Sequence, residues 1–163
     1  MTEKSSPLAL SNQLCFAFYS MSHAFGRAYR QLLEPLDLTY PQYVVLIVLW
    51  EQDGLTVKDI GDRLFLDSGT LTPLLKRLET MGHIRRMRDR EDERQVRIML
   101  TESGRSLRER AKDIPEHVGC MLGLPPGELR ALNQQIAELR SRLHDSIPSP
   151  AKPELAAKGR SRT

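Results

Sequence analysis

Seven consecutive charged residues, at positions 88–94, stand between two short runs rich in Ile, Val and Met. The flanking runs, 84–87 and 96–100, have the composition of strands, and a fully charged segment between them must remain in solvent. This pattern predicts a β-hairpin with a solvated, arginine-bearing tip. Most of the other apolar residues recur at helical spacing, so the chain is predicted to be mainly α-helical.

Two short helices are predicted immediately before this hairpin. Thr56 with Asp59 three residues later is a capping pair, and Asp67 or Ser68 begins the second helix, which ends near Gly82. The positions predicted to face inward are Val57, Ile60 and Leu64 in the first helix and Leu71, Leu74, Leu75 and Leu78 in the second. Two short helices joined by a tight turn and followed by a hairpin are the element order of a winged helix-turn-helix.

A longer helix is predicted near the start of the chain. Its apolar residues lie four, three, four, three and four positions apart, at Leu14, Phe18, Met21, Phe25, Ala28 and Leu32. Such a stripe is long enough to pack against another long helix. Pro35 ends this helix, and Thr39 with Pro41 and Gln42 predicts a capped second helix through about Gln52.

The region after the hairpin is also predicted to be helical. Thr101 caps a fifth helix through about Cys120, the segment from Gly123 to Gly127 breaks it, and a sixth helix runs from about Glu128 to Ile147.

These elements predict a mainly α fold with a small β-hairpin wing. The winged helix-turn-helix lobe is expected to span residues 37–101, and a helical dimerisation region to combine residues 12–36 with 102–147. Residues 1–11 form an N-terminal arm, and the basic tail 148–163 is expected to be disordered.

Composition excludes several classes of protein. The chain has 163 residues, 40% of them hydrophobic and 28% charged, which suits a domain with a core. No apolar run approaches the roughly 18 to 20 residues of a membrane-spanning helix, and the polar N-terminus lacks a signal-peptide pattern, so a cytoplasmic protein without a membrane partner is expected. Two cysteines 105 positions apart suit neither a secreted disulfide scaffold nor a structural zinc site, and no cofactor or metal is expected.

The distribution of charge says more about nucleic-acid binding than the net charge of +3. Residues 82–100 carry six arginines and four acids, whereas residues 51–81 carry four basic and six acidic side chains. Those acids are an objection to DNA binding, because they repel phosphates. We expect some wing acids to hold arginines in place, as Asp92 would near Arg94. The wing acids are Asp89, Glu91, Asp92 and Glu93.

The second short helix would present its first turns to base edges in the major groove. Short hydroxyl side chains there suit close approach, Lys76 and Arg77 suit phosphates or guanine, and Gly69 permits close approach of the backbone. Arg94 at the hairpin tip would reach the adjacent minor groove or the backbone. The residues expected to contact DNA are Asp67, Ser68, Gly69, Thr70, Thr72, Lys76, Arg77, Arg86, Asp92 and Arg94. Taken singly, each feature also fits a capped surface helix or an ordinary charged turn.

Tyrosines are placed suggestively around Cys15. Tyr19 lies four residues later on the same helix face, whereas Tyr29 lies 14 residues later, about 21 Å along the helix. Tyr29 therefore cannot contact Cys15 in its own chain. An antiparallel partner helix crossing near residue 22 would bring a second chain's Tyr29 over Cys15, and Tyr40 could approach the same place.

Phenol hydroxyls that donate hydrogen bonds to sulfur favour the reactive thiolate, which burial alone disfavours. Oxidation would give a sulfenic acid that condenses with a nearby thiol, and Cys120 is the other thiol in the chain. Alternatively, Cys15 is a small buried hydrophobic residue, as free cysteines usually are.

Several stretches match a known group of regulators. They are residues 14–30, 33–36, 38–43, 66–79, 92–94 and 100–101. They resemble the organic hydroperoxide resistance regulators, a branch of the multiple-antibiotic-resistance regulator (MarR) family of winged-helix repressors. The N-terminal stretches are specific to this branch, the wing pattern is general to the family, and the resemblance covers about residues 12–145.

The resemblance implies a non-enzymatic homodimer that represses a peroxidase gene in its reduced form and releases operator DNA on oxidation. Cys15 would be the sensor of organic hydroperoxide, and Tyr29 and Tyr40 of the partner subunit would donate hydrogen bonds to it, with Tyr19 close by. Cys120 would resolve the sulfenic acid as an intersubunit disulfide. Without a usable resolving cysteine, a small external thiol would take that role.

Three alternatives remain open at the level of sequence. A regulator of the same architecture could sense a small phenolic ligand, and a thiol peroxidase could use Cys15 catalytically. His117 and Cys120, three positions apart on one predicted helix, could bind zinc.

Overall fold

The computed structural model describes residues 6–89, 92 and 94–147. The described part contains seven α-helices and three short strands. The helices are α1 (Leu14–Leu33), α2 (Tyr40–Glu51), α3 (Val57–Leu64), α4 (Ser68–Thr80), α5 (Glu102–Ala111), α6 (Ile114–Leu122) and α7 (Pro126–Ser146). The strands are β1 (Leu55–Thr56), β2 (Ile84–Arg88) and β3 (Val96–Leu100), and single 3-10 turns occupy Leu10–Asn12 and Glu34–Leu36. The predicted tail 148–163 lies outside the described residues.

The predicted hairpin is present and gains a third strand. β3 lies between β1 and β2 and pairs antiparallel with both, so that Ile98 stands opposite Leu55 and Leu100 opposite Ile84. β1 was not predicted, because two residues are too few to show the alternation typical of a strand. The architecture is a winged helix, with α3 and α4 as the helix pair and β2–β3 as the wing.

The predicted helix starts are confirmed by their caps. The backbone N–H of Thr39 donates to the Gln42 side chain at 2.8 Å in a capping box at α2. Thr56 and Asp59 form the corresponding box at α3. Thr101 accepts from the backbone N–H of Gly104 at 3.1 Å at α5. These side chains satisfy backbone donors that the first helical turn leaves unpaired.

The prediction of one continuous fifth helix is wrong. The chain instead forms α5, which ends at Ala111, and α6, which begins at Ile114. Pro115 explains the break, because proline has no backbone N–H and its ring would clash with the carbonyl of Ala111 in a continuous helix. The following helix begins at Pro126, two residues before the predicted start, since proline is well suited to a first helical turn.

The core of the winged-helix lobe is built on α2, α3, α4 and the sheet. The side chains of Leu46, Ile60, Leu78 and Ile98 are completely buried, and Leu71 and Leu75 are also buried. Trp50 of α2 donates its Nε1–H to the Gly104 carbonyl of α5 at 2.8 Å. A Cβ at Gly104 would lie 2.0 Å from the backbone oxygen of His83, so glycine is required where α5 passes the His83 backbone.

Two residues other than glycine occupy the left-handed region of backbone space in the described part. They are Asp37, with φ 54°, and Phe65, with φ 56°. Each such residue costs roughly 1 to 2 kcal/mol relative to the right-handed region, because its Cβ crowds the next carbonyl. Phe65 ends α3 and is 61% exposed.

The chain divides into two compact units, Met1–Met121 and Leu122–Thr163. In the described part of the second unit, α7 has no buried residue, and Leu132, Ile136, Leu139 and Leu143 form an exposed stripe along it. The predicted division into residues 37–101 and two flanking helical segments stays a prediction.

No single helix in the described residues is long and apolar enough to cross a membrane. The segments Leu14–Leu36 and Tyr40–Glu51 pass that test only as a pair bent by 68°, on length and composition alone.

Candidate functional site

The start of α4 is organised by Asp67. Its carboxylate accepts from the backbone N–H of Thr70 at 2.9 Å and from the Thr70 hydroxyl at 3.0 Å. These two hydrogen bonds, the backbone one first, lower the pKa of Asp67, so the cap is ionised at neutral pH. Asp67 and Thr70 therefore hold one another at the tip of the predicted recognition helix.

The predicted contact residues of α4 lie on its solvent side. Ser68, Gly69, Thr70, Lys76 and Arg77 are exposed. The Thr72 hydroxyl, by contrast, donates to the Ser68 carbonyl at 2.6 Å and is partly covered. α4 therefore presents two cations and a polar first turn to solvent.

The wing is anchored by a pair that the sequence did not identify. Asp89 is only 6% exposed and forms an ion pair with Arg97 across the hairpin. Arg97 also donates to the Gly54 carbonyl at 2.9 Å, which ties β3 to the turn before β1. The available signal was an acid within the charged segment and an arginine three residues after the end of that segment, but a sequence does not show which acid becomes buried.

Asp92 contacts the backbone of Arg94 rather than the arginine side chain that it was expected to hold. Asp92 accepts from the Arg94 backbone N–H at 3.0 Å and from the Gln95 side chain at 3.1 Å. The Arg94 side chain is exposed, so the turn holds its backbone and leaves the guanidinium in solvent. The other two wing acids considered above, Glu91 and Glu93, lie outside the described residues.

The acids of residues 51–81 are mostly engaged within the chain, which weakens the objection to DNA binding. Their partners are Arg63 for Glu51 at 3.8 Å, Arg105 for Asp53 at 2.9 Å, Thr56 for Asp59, Thr70 for Asp67 and Arg86 for Glu79 at 2.7 Å. The side-chain and backbone hydrogen bonds from Thr56 also lower the pKa of Asp59. Arg86 is thus held by α4, and its role as a DNA contact stays a prediction.

A groove of about 760 Å³ lies between α3, the start of α4 and the wing. Lys58 of α3, Ser68 of α4 and Arg94 of the wing are among its lining residues. The predicted recognition helix and the predicted wing contact therefore border one shared concave surface.

A second cluster joins the tyrosines of α1 and α2. The rings of Tyr29 and Tyr40 lie 4.5 Å apart, and Tyr43, which the sequence did not single out, lies 6.1 Å from Tyr29. Burial, followed by the neighbouring Tyr40 and Tyr43, raises the pKa of Tyr29 to about 12. Burial also raises the pKa of Tyr40. These phenols keep their protons at physiological pH and remain hydrogen-bond donors.

The cysteines stand apart from this tyrosine cluster. Cys15, at the start of α1, and Cys120, in α6, are both exposed in the single chain. Tyr19 is 63% exposed, and its ring meets that of His23 edge-on at 4.4 Å. The structure brings Tyr29 of α1 and Tyr40 of α2 together, whereas Cys15 lies on α1, 14 residues before Tyr29.

The zinc alternative gains no geometric support. Among the described residues, no group of three or more His, Cys, Asp or Glu side chains could hold a metal ion. The Nδ1–H of His117 donates to the Asp113 carbonyl at 2.7 Å.

Comparison with known proteins identifies the architecture. The family described as "Transcriptional regulator SarA/Rot" matches residues 27–111. The chain is 56% identical over 156 residues to the HTH-type transcriptional regulator TtmR of Methylorubrum extorquens, covering 96% of this chain and 80% of that protein. It is 49% identical over 147 residues to the organic hydroperoxide resistance transcriptional regulator of Bacillus subtilis, covering 88% of this chain and 98% of that protein.

The solved structures that resemble this chain include AbfR of Staphylococcus epidermidis. Its reduced, DNA-bound form has a TM-score of 0.69 and 37% identity, covering 83% of this chain and 94% of AbfR. Its disulfide form has a TM-score of 0.59 and 39% identity, covering 80% and 91% of the two chains. These relatives are transcriptional regulators rather than enzymes. The chain therefore belongs to the MarR-type family of DNA-binding, winged-helix transcriptional regulators, which includes the SarA/Rot regulators and the Bacillus organic hydroperoxide regulator.

Proposed function

We propose that this protein is a dimeric repressor that senses organic hydroperoxides through Cys15 and releases its operator when that thiol is oxidised. The observation that carries the proposal is the joining of Tyr29 and Tyr40 into one cluster of protonated phenols. Cys15 lies too far along the same helix to use them, so a second chain must supply them.

The apolar surface of α1 supports a second chain packed against it. Leu14, Phe18 and Met21 are between 43% and 57% exposed and lie on the stripe predicted from the sequence. A soluble chain rarely leaves a contiguous apolar surface of this kind uncovered. An antiparallel copy of α1 would cover it and carry the Tyr29–Tyr40 cluster of the partner to Cys15.

The chemistry of the sensor follows from these groups. The Cys15 thiolate attacks the O–O bond of the hydroperoxide, so that an S–O bond forms, the O–O bond breaks and the alkoxide leaves as an alcohol after taking a proton. The sulfur is oxidised by two electrons and the peroxide is reduced. The pKa of Tyr29 is raised to about 12 and burial also raises the pKa of Tyr40, so both phenols stay protonated at physiological pH and donate hydrogen bonds to the thiolate without adding charge.

The second step closes a disulfide. The Cys120 thiol of the partner subunit, or a small external thiol, attacks the sulfenic sulfur, and the hydroxyl leaves as water. A disulfide holds its two Cα atoms within about 7 Å, so closing it pulls the two helices together. The two recognition helices then lose their spacing of about 34 to 36 Å, one turn of DNA, and the dimer releases its operator.

The relatives support this choice of signal. The Bacillus protein is named for organic hydroperoxide resistance, and AbfR is described in a reduced, DNA-bound form and in a disulfide form.

The test uses the reduced protein and a DNA duplex that it selects from a random library. Cumene hydroperoxide should release the duplex from the parent protein, as measured by fluorescence anisotropy, and dithiothreitol should restore binding. Cys15→Ser should bind the duplex and ignore the peroxide. If Cys15→Ser is released equally well, the sensor assignment is wrong.

Cys120→Ser separates the two forms of the second step. If Cys120 resolves the sulfenic acid, non-reducing electrophoresis shows a crosslinked dimer for the parent and only monomer for Cys120→Ser. If an external thiol does so, Cys120→Ser responds like the parent when that thiol is added. Release by a phenol such as salicylate, with no response to peroxide, would instead favour the ligand-sensing alternative.

A further inference from the structure

One of the six acidic residues between positions 51 and 81, Asp62, lacks the internal partners that the other five have. Within the described residues its side chain forms no hydrogen bond and no ion pair, whereas the other five are engaged as described above. Lys58 lies one helical turn before it, and the adjacent Arg63 interacts instead with Gln52 and Glu51. The carboxylate of Asp62 is therefore available to a group outside the chain.

The stability of α3 does not explain an acid at this position. Asp62 lies in the last turn of the helix, and its side chain is exposed. A carboxylate near the C-terminus of a helix faces the negative end of the helix dipole, which is unfavourable, and an exposed side chain adds little to the core. A role in binding is the better explanation.

Asp62 lines the groove between α3, the start of α4 and the wing. Two other carboxylates, those of Asp59 and Asp67, line the same groove, together with the cations of Lys58 and Arg94. Among the described lining residues acids thus outnumber cations, which makes the groove a poor surface for phosphates. The lining also includes the first residue of α4, and this end of a recognition helix meets base edges. A base edge that donates a hydrogen bond suits such a surface better than a phosphate does.

The other two groove acids are already used by helix caps. The two oxygens of Asp67 accept from the backbone N–H and from the hydroxyl of Thr70, and Asp59 accepts from the backbone N–H and the hydroxyl of Thr56. In the major groove a carboxylate accepts from the N4 amine of cytosine, whereas thymine presents an acceptor oxygen, O4. A carboxylate placed against thymine would lose water without gaining a donor, which is unfavourable.

We propose that Asp62 is a specificity-determining residue, which accepts a hydrogen bond from the N4 amine of one cytosine in each half of the operator. α3 then reads sequence together with α4, and a duplex that presents an acceptor at this position is penalised. The proposal rests on DNA binding by this family and is independent of the proposed peroxide sensor.

The first experiment selects duplexes from a random library with reduced parent protein and with Asp62→Ala. The parent should require cytosine at one position of each half-site, and Asp62→Ala should accept any base there while the other preferred positions stay the same. Glu109→Gln is the matched control, because it removes an acid from an exposed pair with Lys112 on α5 and should select the parent sequence. Identical base preferences for the parent and Asp62→Ala would overturn the proposal.

A base exchange then tests the hydrogen bond itself. Replacing the selected cytosine by thymine should weaken binding by the parent about tenfold, as measured by fluorescence anisotropy, which is the scale of one specific base contact. Asp62→Asn should bind the two duplexes within about twofold of each other, because an amide accepts from cytosine and donates to thymine. If the parent binds both duplexes equally and Asp62→Asn binds both more tightly, Asp62 only repels DNA and the proposal is wrong.

Urea unfolding, followed by circular dichroism, separates base reading from a general loosening of the lobe. Asp62→Asn and Asp62→Ala should unfold at the urea concentration of the parent or above it, since both remove an acid from the end of a helix. A lowered midpoint together with a lost base preference would overturn the proposal. Failure of Cys15 as the sensor would appear only in the peroxide experiment and would leave these base preferences unchanged.

Discussion

The buried wing anchor provides the sharpest test of how this fold holds its DNA contacts. Asp89→Asn keeps the size of the side chain and removes the charge that pairs with Arg97. Breaking a fully buried ion pair costs about 3 to 5 kcal/mol, because one charge is left without a partner. The Arg97 side chain is 46% exposed and regains water, so we expect about 1 to 2 kcal/mol.

This cost falls on the wing rather than on the core. Asp89 follows β2 and Arg97 lies in β3, with Arg94 between them in the chain, so the separation of Asp89 from Arg97 loosens the tip. If the whole cost appears in binding, operator affinity should fall about five- to thirtyfold, since about 1.4 kcal/mol corresponds to a factor of ten. If Arg94 of each subunit loses its contact with one DNA phosphate, the slope of log affinity against log salt should become shallower by about one to two units.

The assay is fluorescence anisotropy over a series of salt concentrations, combined with hydrogen exchange of the β3 amides. Glu109→Gln is the matched control, because it removes an acid from an exposed pair with Lys112 at 3.5 Å and should change neither affinity nor exchange. If Asp89→Asn binds within twofold of the parent and the protection of Ile98 is unchanged, the idea that this pair positions the wing is refuted.

Three other predictions follow from named contacts. Glu79→Gln should free Arg86 and raise affinity for DNA about two- to fivefold with a steeper salt slope; unchanged binding would remove Arg86 from the set of DNA contacts. The folded state holds the Tyr29 proton more tightly than the unfolded chain, so its contribution to stability is complete below pH 10 and is lost as pH rises towards about 12. Urea midpoints of the parent should fall across that window more steeply than those of Tyr29→Phe, and parallel curves would contradict this. Gly104→Ala should destabilise the fold by about 2 to 3 kcal/mol, because the added Cβ would lie 2.0 Å from the His83 oxygen; an unchanged urea midpoint would show that the crossing can relax.

Local signals were enough to predict most elements of the DNA-binding lobe. Thr39, Thr56, Asp67 and Thr101 cap the helices that their positions predicted, because capping depends on residues only three positions apart. The broken fifth helix was missed although Pro115 signals it, since the apolar spacing continues across the break.

The contacts across the fold could not be predicted in the same way. Asp89 is one of several acids in the wing, and only the folded hairpin shows that it faces Arg97. The approach of Tyr40 to Tyr29 depends on the bend between α1 and α2, which the sequence indicates only through Pro35. The left-handed backbone of Phe65 has no sequence signal at all, because glycine is the residue expected there.

The indole of Trp50 gives this protein an intrinsic optical probe, because the chain contains one tryptophan. Its ring lies 6.1 Å from Tyr43, which in turn lies 6.5 Å from Tyr40, and its N–H is bonded to the Gly104 carbonyl. Displacement of the tyrosine rings or of α5 changes the surroundings of the same chromophore. The emission spectrum of unlabelled protein therefore follows, in real time, any rearrangement that travels along α2 from the phenols to the DNA-binding lobe.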